Sequence, residues 1–205
     1  MALAVTRCWW PGEDDLYLAY HDDEWGRPST DRTDLFEKLV LEGFQAGLSW
    51  ITVLRKRDRF RERFHGFVPE VVANMGPDDV EALMGDAGII RNRAKIEAAI
   101  SNARALLDLE RAGDSLVDLV WSFEPDPANR PPLITREVVG QLATTPESVA
   151  LSKALKRRGF RFVGPTTAYA FMQAMGIVND HVDGCPQRDI CLAERKALTF
   201  SRARS

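Results

Sequence analysis

The stretch 92–111 constrains the fold most, because it places an apolar residue at each turn of an α-helix. Four residues recur at the spacing i, i+4, i+7 and i+11: Ile96, Ile100, Ala103 and Leu107. This spacing lines one face of a helix, and Gly113 supplies a stop just beyond it. No segment alternates polar and apolar residues over the length of a strand. The sequence therefore predicts an all-α fold of roughly eight to ten helices.

Capping residues and prolines mark the other predicted helices. Asp34 is the expected N-cap of a helix that ends or kinks near Gly47, and Ser49 is the expected cap of the next helix. Further helices are predicted at 69–75, 77–84, 115–123, 148–158 and 167–175. The stretch 8–28 is predicted to be a packed loop with room for a short helix, and the proline-rich stretch 124–132 a surface connection.

The composition is that of an ordinary globular protein, with 205 residues of which 45% are hydrophobic and 28% charged. We expect a single domain over 1–185 and a disordered tail over 186–205, where core-forming residues are few. No apolar run reaches membrane-spanning length, and the first residues do not form a signal peptide. We therefore expect a cytoplasmic protein with no membrane partner, and a monomer by default.

The net charge of −3 conceals an uneven distribution of charged residues. The first 50 residues hold ten acids against four bases, and three basic clusters follow at 55–63, 91–95 and 153–161. Each cluster alone is most simply a solvated helix face. Three clusters in one small domain could instead converge on a phosphate backbone.

Glu42 interrupts an apolar surround that includes Leu41 and Phe44. A lone carboxylate is costly to bury there without a partner, and function is the usual reason for accepting that cost. Trp50 follows eight residues later, so a continuous helix would place both side chains on nearly the same face. The alternative is a solvated Glu at the end of an amphipathic turn, and these residues alone leave both interpretations open.

The hexapeptide VGPTTA at 163–168 resembles the V-G-x-x-T-A core of the helix-hairpin-helix element of DNA-binding proteins. Gly164 allows a tight backbone, and N–H groups at the start of the next helix, near Thr166, can meet a phosphate. Arg161 and the basic run before it favour phosphate binding. Phe162 stands where the general element usually has another glycine. The alternative is an ordinary connection between two packed helices.

Two Cys–His pairs lie near opposite ends of the predicted domain, Cys8 with His21 and His181 with Cys185. Together they form a Cys2His2 set suited to tetrahedral Zn²⁺. Four protein ligands leave no open position, so the zinc would be structural and would join two distant parts of the chain. Either pair alone is more simply a buried Cys and a hydrogen-bonded His. Cys191 could substitute for a ligand or be a thiol of the tail.

Six longer runs are recognisable: YHDDEWG at 20–26, LEGFQAGLSWITVL at 41–54, DAGIIR at 86–91, DLVWSF at 118–123, LSKALKRRGFRFVG at 151–164 and NDH at 179–181. These runs closely resemble the DNA-3-methyladenine glycosylase I family. The resemblance covers about residues 7–185 and is weakest at 124–147. It implies a helix-hairpin-helix DNA glycosylase fold with a zinc site joining the N- and C-terminal segments. It also implies excision of N3-methyladenine from alkylated DNA.

By position, the resemblance implies that Glu42 reads a flipped base. The implied pocket walls are Tyr20 and Trp50, and the implied neighbours are Trp10, Tyr17 and Trp25. Phe44 replaces a polar residue that is common at this point in relatives.

The same resemblance implies metal and DNA contacts. The implied zinc ligands are Cys8, His21, His181 and Cys185. Leu48, beside Gly47, resembles the side chain that fills the gap left in the duplex. Asp180 adjoins the ligand His181, and we expect it to support that ligand rather than act in catalysis. No lysine stands where a lyase nucleophile is expected.

These residues fit one chemistry. An adenine alkylated at N3 is cationic, so aromatic faces and Glu42 attract it, whereas unmodified adenine gains neither contact. We expect a monofunctional N-glycosylase that flips and hydrolytically releases 3-methyladenine from alkylated double-stranded DNA, with the free base as product. One alternative is a zinc-stabilised DNA-binding module without catalysis, which leaves Glu42 without a purpose. Another is a zinc-dependent hydrolase, which needs an open metal position.

Overall fold

The computed structural model describes residues 7–198, and in that range the chain is helical with no strand, as predicted. The described part contains twelve α-helices and two short 3-10 turns, His65–Phe67 and Pro127–Asn129. The α-helices are α1 Asp15–Asp23, α2 Arg32–Gln45, α3 Trp50–Leu54, α4 Arg57–Arg63, α5 Pro69–Ala73, α6 Pro77–Met84, α7 Arg93–Arg111, α8 Leu116–Trp121, α9 Arg136–Gln141, α10 Pro146–Arg157, α11 Pro165–Ala174 and α12 Pro186–Ala197. None of these described helices is long and apolar enough to cross a membrane.

Helix α7 confirms the prediction at 92–111. Asn92 is its N-cap, and the Asn92 side-chain oxygen accepts a hydrogen bond of 3.2 Å from the backbone N–H of Lys95. The apolar face packs against α2, α5 and α6, and it buries Ile96 and Ala103 completely. Helix α7 therefore supports α2, the helix that carries Glu42.

Helix α2 runs through the interior, since every residue from 35 to 44 is buried. Its N-cap is Asp31, not the predicted Asp34. The Asp31 carboxylate accepts hydrogen bonds of 2.8 and 2.9 Å from the backbone N–H groups of Thr33 and Asp34. The earlier start leaves Asp34 in the first turn, where a negative charge also suits the helix dipole.

Glu42 and Trp50 lie on different helices, as expected from the predicted end of the first helix near Gly47. The shared face that a continuous helix would give them therefore does not apply. Helix α2 ends at Gln45, and α3 begins at Trp50. Gly47 adopts a left-handed φ of 84°, which favours glycine and ends the helix where the sequence predicts. Ser49 takes the N-cap position of α3, also as predicted.

The other predicted helices are present, and their ends differ from the predictions by at most two residues. Helix α1 lies in the stretch predicted as a packed loop with a short helix. Its N-cap is Asp14, whose carboxylate accepts a 3.0 Å hydrogen bond from the backbone N–H of Tyr17. Helix α9 was not predicted. It has only six residues and none of them is fully buried, so it leaves little periodic signal in the sequence.

Helices α10 and α11 are joined by the connection 158–164 and pack on each other. Helix α11 also packs on α2. Asn102 of α7 holds this connection. Its side chain accepts from the backbone N–H of Arg161 at 2.7 Å and donates to the Arg161 carbonyl at 3.0 Å. Phe162 adopts a left-handed φ of 55°, at the position where the general hairpin element usually has glycine. A side chain is therefore accommodated in the conformation that glycine adopts most easily.

The predicted disordered tail is wrong over 186–198, because Pro186–Ala197 forms α12. Cys191 anchors this helix and is only 2% exposed. Arg195 pairs with Glu124 at 2.5 Å, and its guanidinium lies 4.4 Å from the centroid of the Trp121 ring. Arg188 pairs with Asp183, and Glu194 pairs with Arg27. One buried thiol and several ion pairs therefore hold a segment whose composition alone suggests few core residues. Residues 199–205 lie outside the described range.

Candidate functional site

A pocket of about 250 Å³ lies where α1, α2, α3 and α11 meet. All six residues predicted to read or surround a base line it, namely Trp10, Tyr17, Tyr20, Trp25, Glu42 and Trp50. The remaining lining residues were not predicted, namely Trp9, Gln45, Val139, Ala170 and Gln173. The structure brings the predicted residues together, while their roles in base binding stay predictions.

The aromatic lining forms one connected group of rings. Trp10 packs edge-on against Tyr17 and Trp25, with centroids 4.8 and 5.1 Å apart. Tyr20 and Trp50 are tilted with centroids 5.4 Å apart. Tyr17 and Tyr20 are three residues apart on α1, which places both on the face toward the pocket. Such contacts fix the rings in place and leave a rigid aromatic wall.

Glu42 is 4% exposed and forms no hydrogen bond with any residue in the described range. Its Oε2 atom and the indole N–H of Trp50 are both buried without a partner. Each such group costs about 1–3 kcal/mol when it stays unpaired. Burial raises the pKa of Glu42 to about 7, and the charge of Lys38 opposes that rise. The pocket thus offers one acceptor and one donor to a ligand that is flat and positively charged.

Lys38 is a residue that the sequence interpretation missed. Its side chain is buried, and its ammonium group donates a 3.1 Å hydrogen bond to the hydroxyl of Tyr20. The ammonium nitrogen also lies 4.6 Å from the ring centroids of both Tyr20 and Trp50. The available signal was its position four residues before Glu42 on an apolar helix, where the two side chains are neighbours.

The residues predicted to contact DNA are at the surface, but in two places. Leu48 is 43% exposed and follows Gly47 in the turn between α2 and α3. Arg161 and Thr166 are exposed beside Gly164, the N-cap of α11. Within the described part of the chain, the backbone N–H groups of Thr166 and Thr167 have no acceptor. These orphan donors at a helix N-terminus suit a bound anion.

The three basic clusters do not all offer free charge. In the first cluster, Arg57 pairs with Glu24 and Arg61 pairs with Glu37. The remaining ion pairs of the first two clusters are Arg55 with Asp14, Arg59 with Asp86 and Glu62, Arg63 with Asp86, and Arg93 with Glu81. Arg61 also lies 3.9 Å from Asp58, and Lys56 and Arg91 form no ion pair in residues 7–198. In the third cluster, four exposed cations form no ion pair in the same range: Lys153, Lys156, Arg157 and Arg161. Most of the unpaired charge of the three clusters therefore lies near the α10–α11 connection.

Lys95, from the second cluster, is buried and does not face solvent. Its ammonium group donates to the carbonyl oxygens of Phe44 and Ala46 at 2.9 and 2.6 Å. These are free carbonyls at the end of α2, where a positive charge also suits the helix dipole. Lys95 therefore holds the turn that presents Leu48.

The four predicted metal ligands meet in one buried cluster, with all ligand atoms within 4.8 Å of one another. The Nε2 atom of His21 and the Nδ1 atom of His181 are 3.2 Å apart. The Cys185 Sγ atom lies 3.7 Å from each of these nitrogens, and the Cys8 Sγ atom lies 3.7 Å from His181 Nδ1. Ligands of a tetrahedral metal at about 2.0–2.3 Å are roughly 3.3–3.8 Å apart, so this group could hold one metal ion.

The two ligand histidines are oriented by groups other than Asp180. His21 Nδ1 lies 2.7 Å from the Asp22 carboxylate, and His181 Nε2 lies 2.9 Å from the carbonyl oxygen of Trp25. The predicted support of His181 by the Asp180 side chain is therefore wrong. That carboxylate instead accepts hydrogen bonds from the side chains of Arg130, Tyr169 and Gln173.

The Cys8 and Cys185 thiols of this cluster shift each other's pKa in opposite directions. A hydrogen bond from Cys8 lowers the pKa of Cys185, with further lowering by His181 and His21. The same thiol contact and burial raise the pKa of Cys8. A metal ion would replace this proton, since thiolates are the ligand form. Cys191 is not among the four residues, and burial raises its pKa to about 11.

Comparison with known proteins agrees with this geometry. A family model described as methyladenine glycosylase matches residues 10–188. Over 183 residues the chain is 57% identical to DNA-3-methyladenine glycosylase 1 of Escherichia coli (strain K12), covering 88% of this chain and 96% of that protein.

Solved structures show the same fold. A crystal structure of 3-methyladenine DNA glycosylase I matches with a TM-score of 0.82 and 53% identity, covering 88% of this chain and 98% of that chain. A second structure concerns 3-methyladenine recognition by the enzyme of Staphylococcus aureus. It matches with a TM-score of 0.81 and 36% identity, covering 91% and 98% of the two chains. By sequence and by fold, this chain belongs to the methyladenine glycosylase family.

Proposed function

We propose that the protein excises 3-methyladenine from alkylated double-stranded DNA; its relatives are named DNA-3-methyladenine glycosylases. One observation carries the proposal. Glu42 is a buried carboxylate without a hydrogen-bond partner, and it stands among aromatic rings. A cationic base supplies the missing hydrogen-bond donor, the missing charge and a flat face for the rings.

Discrimination follows from the difference in charge between the two bases. Stacking of a cation on the rings of Tyr20 and Trp50 contributes about 0.5–2 kcal/mol, and a charged hydrogen bond to Glu42 adds about 1.5–3 kcal/mol. Unmodified adenine is neutral and gains neither. It therefore does not recover the few kcal/mol that extrusion from the stack costs.

Hydrolysis needs little acid–base help from the chain. A cationic base leaves with the electron pair of the glycosidic bond and becomes neutral, so no proton need be delivered to it. A water molecule supplies the oxygen that bonds to the sugar carbon, and the proton that this water loses goes to solvent. The Asp180 carboxylate is held by Arg130 and Tyr169 and does not line the pocket. We propose that the pocket mainly holds the base.

No lysine lines the pocket in the described part of the chain. A lyase needs a lysine amine that can attack the sugar carbon, so we propose a monofunctional glycosylase. Reduction with borohydride during the reaction should then trap no covalent complex between protein and DNA.

We propose that DNA is held at two places. The α10–α11 pair would act as a helix-hairpin-helix element, in which Gly164, Thr166 and Arg161 meet a phosphate. Leu48, exposed in the turn after Gly47, would fill the space that the flipped base leaves in the duplex.

We also propose that the metal is Zn²⁺. Two thiolates and two imidazoles match the preference of zinc, and a full set of four ligands supplies a structural site without a reactive open position. The ligands come from residues 8–21 and 181–185, so the ion would join the start and the end of the described chain.

Release of free 3-methyladenine from alkylated duplex DNA tests the enzyme. Wild type should release the base, and Glu42→Gln should lower the rate by about 10–150-fold, the value of one charged hydrogen bond. Glu110→Gln on α7 is the matched control, because Glu110 pairs with Arg32 and does not line the pocket. It should keep near wild-type activity.

The same assay separates the alternatives. Tight binding of DNA by wild type without release of base would favour a DNA-binding module without catalysis. Activity lost on removal of the metal from a protein that stays folded would favour a zinc-dependent hydrolase.

A further inference from the structure

Lys38 is a buried cation beside the pocket that the proposed reaction does not use. It does not line the pocket of Glu42 but lines a neighbouring cavity of about 380 Å³. From there its ammonium group reaches the aromatic wall, 3.1 Å from the Tyr20 hydroxyl and 4.6 Å from the Tyr20 and Trp50 ring centroids. The Tyr20 and Trp50 rings therefore contact both the pocket and the positively charged Lys38 ammonium group.

Three acids line the neighbouring cavity, and none of them forms an ion pair with Lys38 within the described residues. Asp34 accepts a 3.4 Å hydrogen bond from the Ser29 hydroxyl group. Glu24 pairs with Arg57 and Glu37 pairs with Arg61, both at 2.8 Å. Two guanidinium groups therefore neutralise two carboxylates. The charge of Lys38 has no ion-pair partner of its own within the described residues.

Glu42 is the matching unpaired acid. It lies four residues after Lys38 on α2, which is the spacing of neighbouring side chains on a helix. Both residues are at least nine-tenths buried, so water screens their interaction poorly. A carboxylate in an apolar pocket is neutralised by a proton unless a positive charge stabilises it.

We propose that Lys38 is a positioning residue that keeps the Glu42 carboxylate ionised from the far side of the Tyr20–Trp50 wall. The inference deepens the proposed function, since only the ionised form of Glu42 attracts a cationic base. Burial lowers the pKa of Lys38 to about 8, which still leaves most of the ammonium protonated at neutral pH. The Lys38 charge also lowers the pKa of Glu42 against the effect of burial.

The titratable groups that act on Lys38 or on its neighbour Tyr20 are Tyr17 and Glu24 at α1, Glu37 on α2 and Arg57 on α4, and Arg61 on α4 lines the same cavity as Lys38. The other elements packed against α2 carry Lys95 on α7, Asp118 on α8, Tyr169 on α11 and His65 in the first 3-10 turn. Among these groups Glu24, Glu37 and Arg57 act on Lys38. Besides burial, only Lys38 moves the pKa of Glu42.

The test is the protonation of Glu42 in the free protein, followed by carbon NMR of the side-chain carboxyl group as the pH is changed. Lys38→Met and Lys38→Gln should each raise the midpoint by about one pH unit or more, the effect of one charge at close range in a protein. Lys38→Arg should stay near wild type because it retains the charge. Lys153→Met, an exposed lysine on α10, is the control and should not move the midpoint.

Two neutral variants are proposed in case one of them misfolds, because the midpoint of Glu42 in either Lys38→Met or Lys38→Gln alone is enough for the test. Equal midpoints in wild type and in the folded neutral variants would overturn the inference. So would a midpoint for Lys38→Arg that matches Lys38→Met. Excision by Lys38→Met should also recover as the pH rises past its own midpoint, which a merely structural defect would not produce.

The NMR titration of Glu42 needs no ligand. A negative result for Lys38 can therefore be told apart from a failure of the proposed excision. A wild type that releases no 3-methyladenine, with a normal effect of Lys38 on Glu42, would refute only the excision. A wild type that excises the base, with no effect of Lys38, would refute only the role of Lys38.

Discussion

Gly43 and Phe162 are in close contact, since a Cβ atom on Gly43 would lie 3.3 Å from the Cβ atom of Phe162. The same atom would lie 3.4 Å from the Phe162 carbonyl oxygen. Gly43 follows Glu42 on α2, while Phe162 is in the connection between α10 and α11. The proposed phosphate-binding element therefore rests one residue away from the pocket carboxylate. A glycine there lets the two segments approach closely without displacing Phe162.

Gly43→Ala should disturb this contact. Alanine normally stabilises a helix interior by about 0.5–1 kcal/mol relative to glycine, but here the added methyl group must displace Phe162. We expect a free energy of unfolding that is unchanged or lower by about 1 kcal/mol, with slower excision from duplex DNA. Denaturant unfolding measures the first quantity.

Gly140 supplies the matched control for that substitution. It lies inside α9, and a Cβ atom there would meet nothing within 4 Å. Gly140→Ala should therefore raise the free energy of unfolding by about 0.5–1 kcal/mol. An equal gain from Gly43→Ala, with excision intact, would show that the contact with Phe162 is not tight.

Leu48→Ala should separate action on DNA from recognition of the base. Loss of an apolar side chain that enters the duplex removes roughly 1.4 kcal/mol or more, so excision from duplex DNA should fall about tenfold. Binding of free 3-methyladenine, followed by tryptophan fluorescence, should be nearly unchanged. Leu192→Ala, an equally exposed leucine on α12, should affect neither. Equal losses of excision from duplex DNA and of binding of the free base in Leu48→Ala would refute this separation of roles.

Removal of the metal should destabilise the fold. We expect one equivalent of zinc per chain, and a fall of Tm on the order of 10 °C or more on chelation or in Cys185→Ser. Cys191→Ser should retain the metal, because Cys191 is buried but is not one of the four clustered residues. Metal content by atomic spectroscopy decides this, and a metal-free wild type with an unchanged Tm would contradict it.

Glu42→Gln should be more stable than wild type at high pH. The pKa of Glu42 rises from 4.5 to about 7 on folding, so the folded chain holds this proton more tightly than the unfolded chain does. Stability is therefore lost as the pH rises through this range, and the loss is complete above pH 7. We expect Glu42→Gln to gain about 1–3 kcal/mol at pH 8 and little at pH 5. A variant that is less stable than wild type at both pH values would contradict the assignment.

The sequence predicted the helices that carry a regular apolar pattern and a start or stop signal, such as α7 with Gly113 beyond its end. It also identified Glu42 and Trp50 as partners, although Gly47 breaks the helix between them. The four residues that could hold a metal ion were found because Cys and His are rare in this chain and the two pairs were considered together. Pattern and residue chemistry are both local properties, and a single sequence displays them.

Long-range pairing explains what the sequence interpretation missed. The charge of Arg57 is neutralised by Glu24, which lies 33 residues away, so the first basic cluster looked free when it is paired. Lys95 looked like a surface cation of the second basic cluster because nothing local showed that it is buried. Helix α12 looked like a tail because its anchor, Cys191, is a single residue.

Direct binding of a base that keeps its positive charge tests the central claim, which is that the aromatic pocket reads positive charge through Glu42. The probe is 3,9-dimethyladenine, which is cationic because N9 is substituted as it is in DNA, and the neutral control is 9-methyladenine. Titration of wild type at pH 7.5, followed by quenching of tryptophan fluorescence, should show saturable binding of the cation, and the neutral control should bind at least about tenfold more weakly. Glu42→Gln should lose most of this preference while it remains folded. Equal binding of the cation and the neutral control by wild type, or an unchanged preference in Glu42→Gln, would contradict the account.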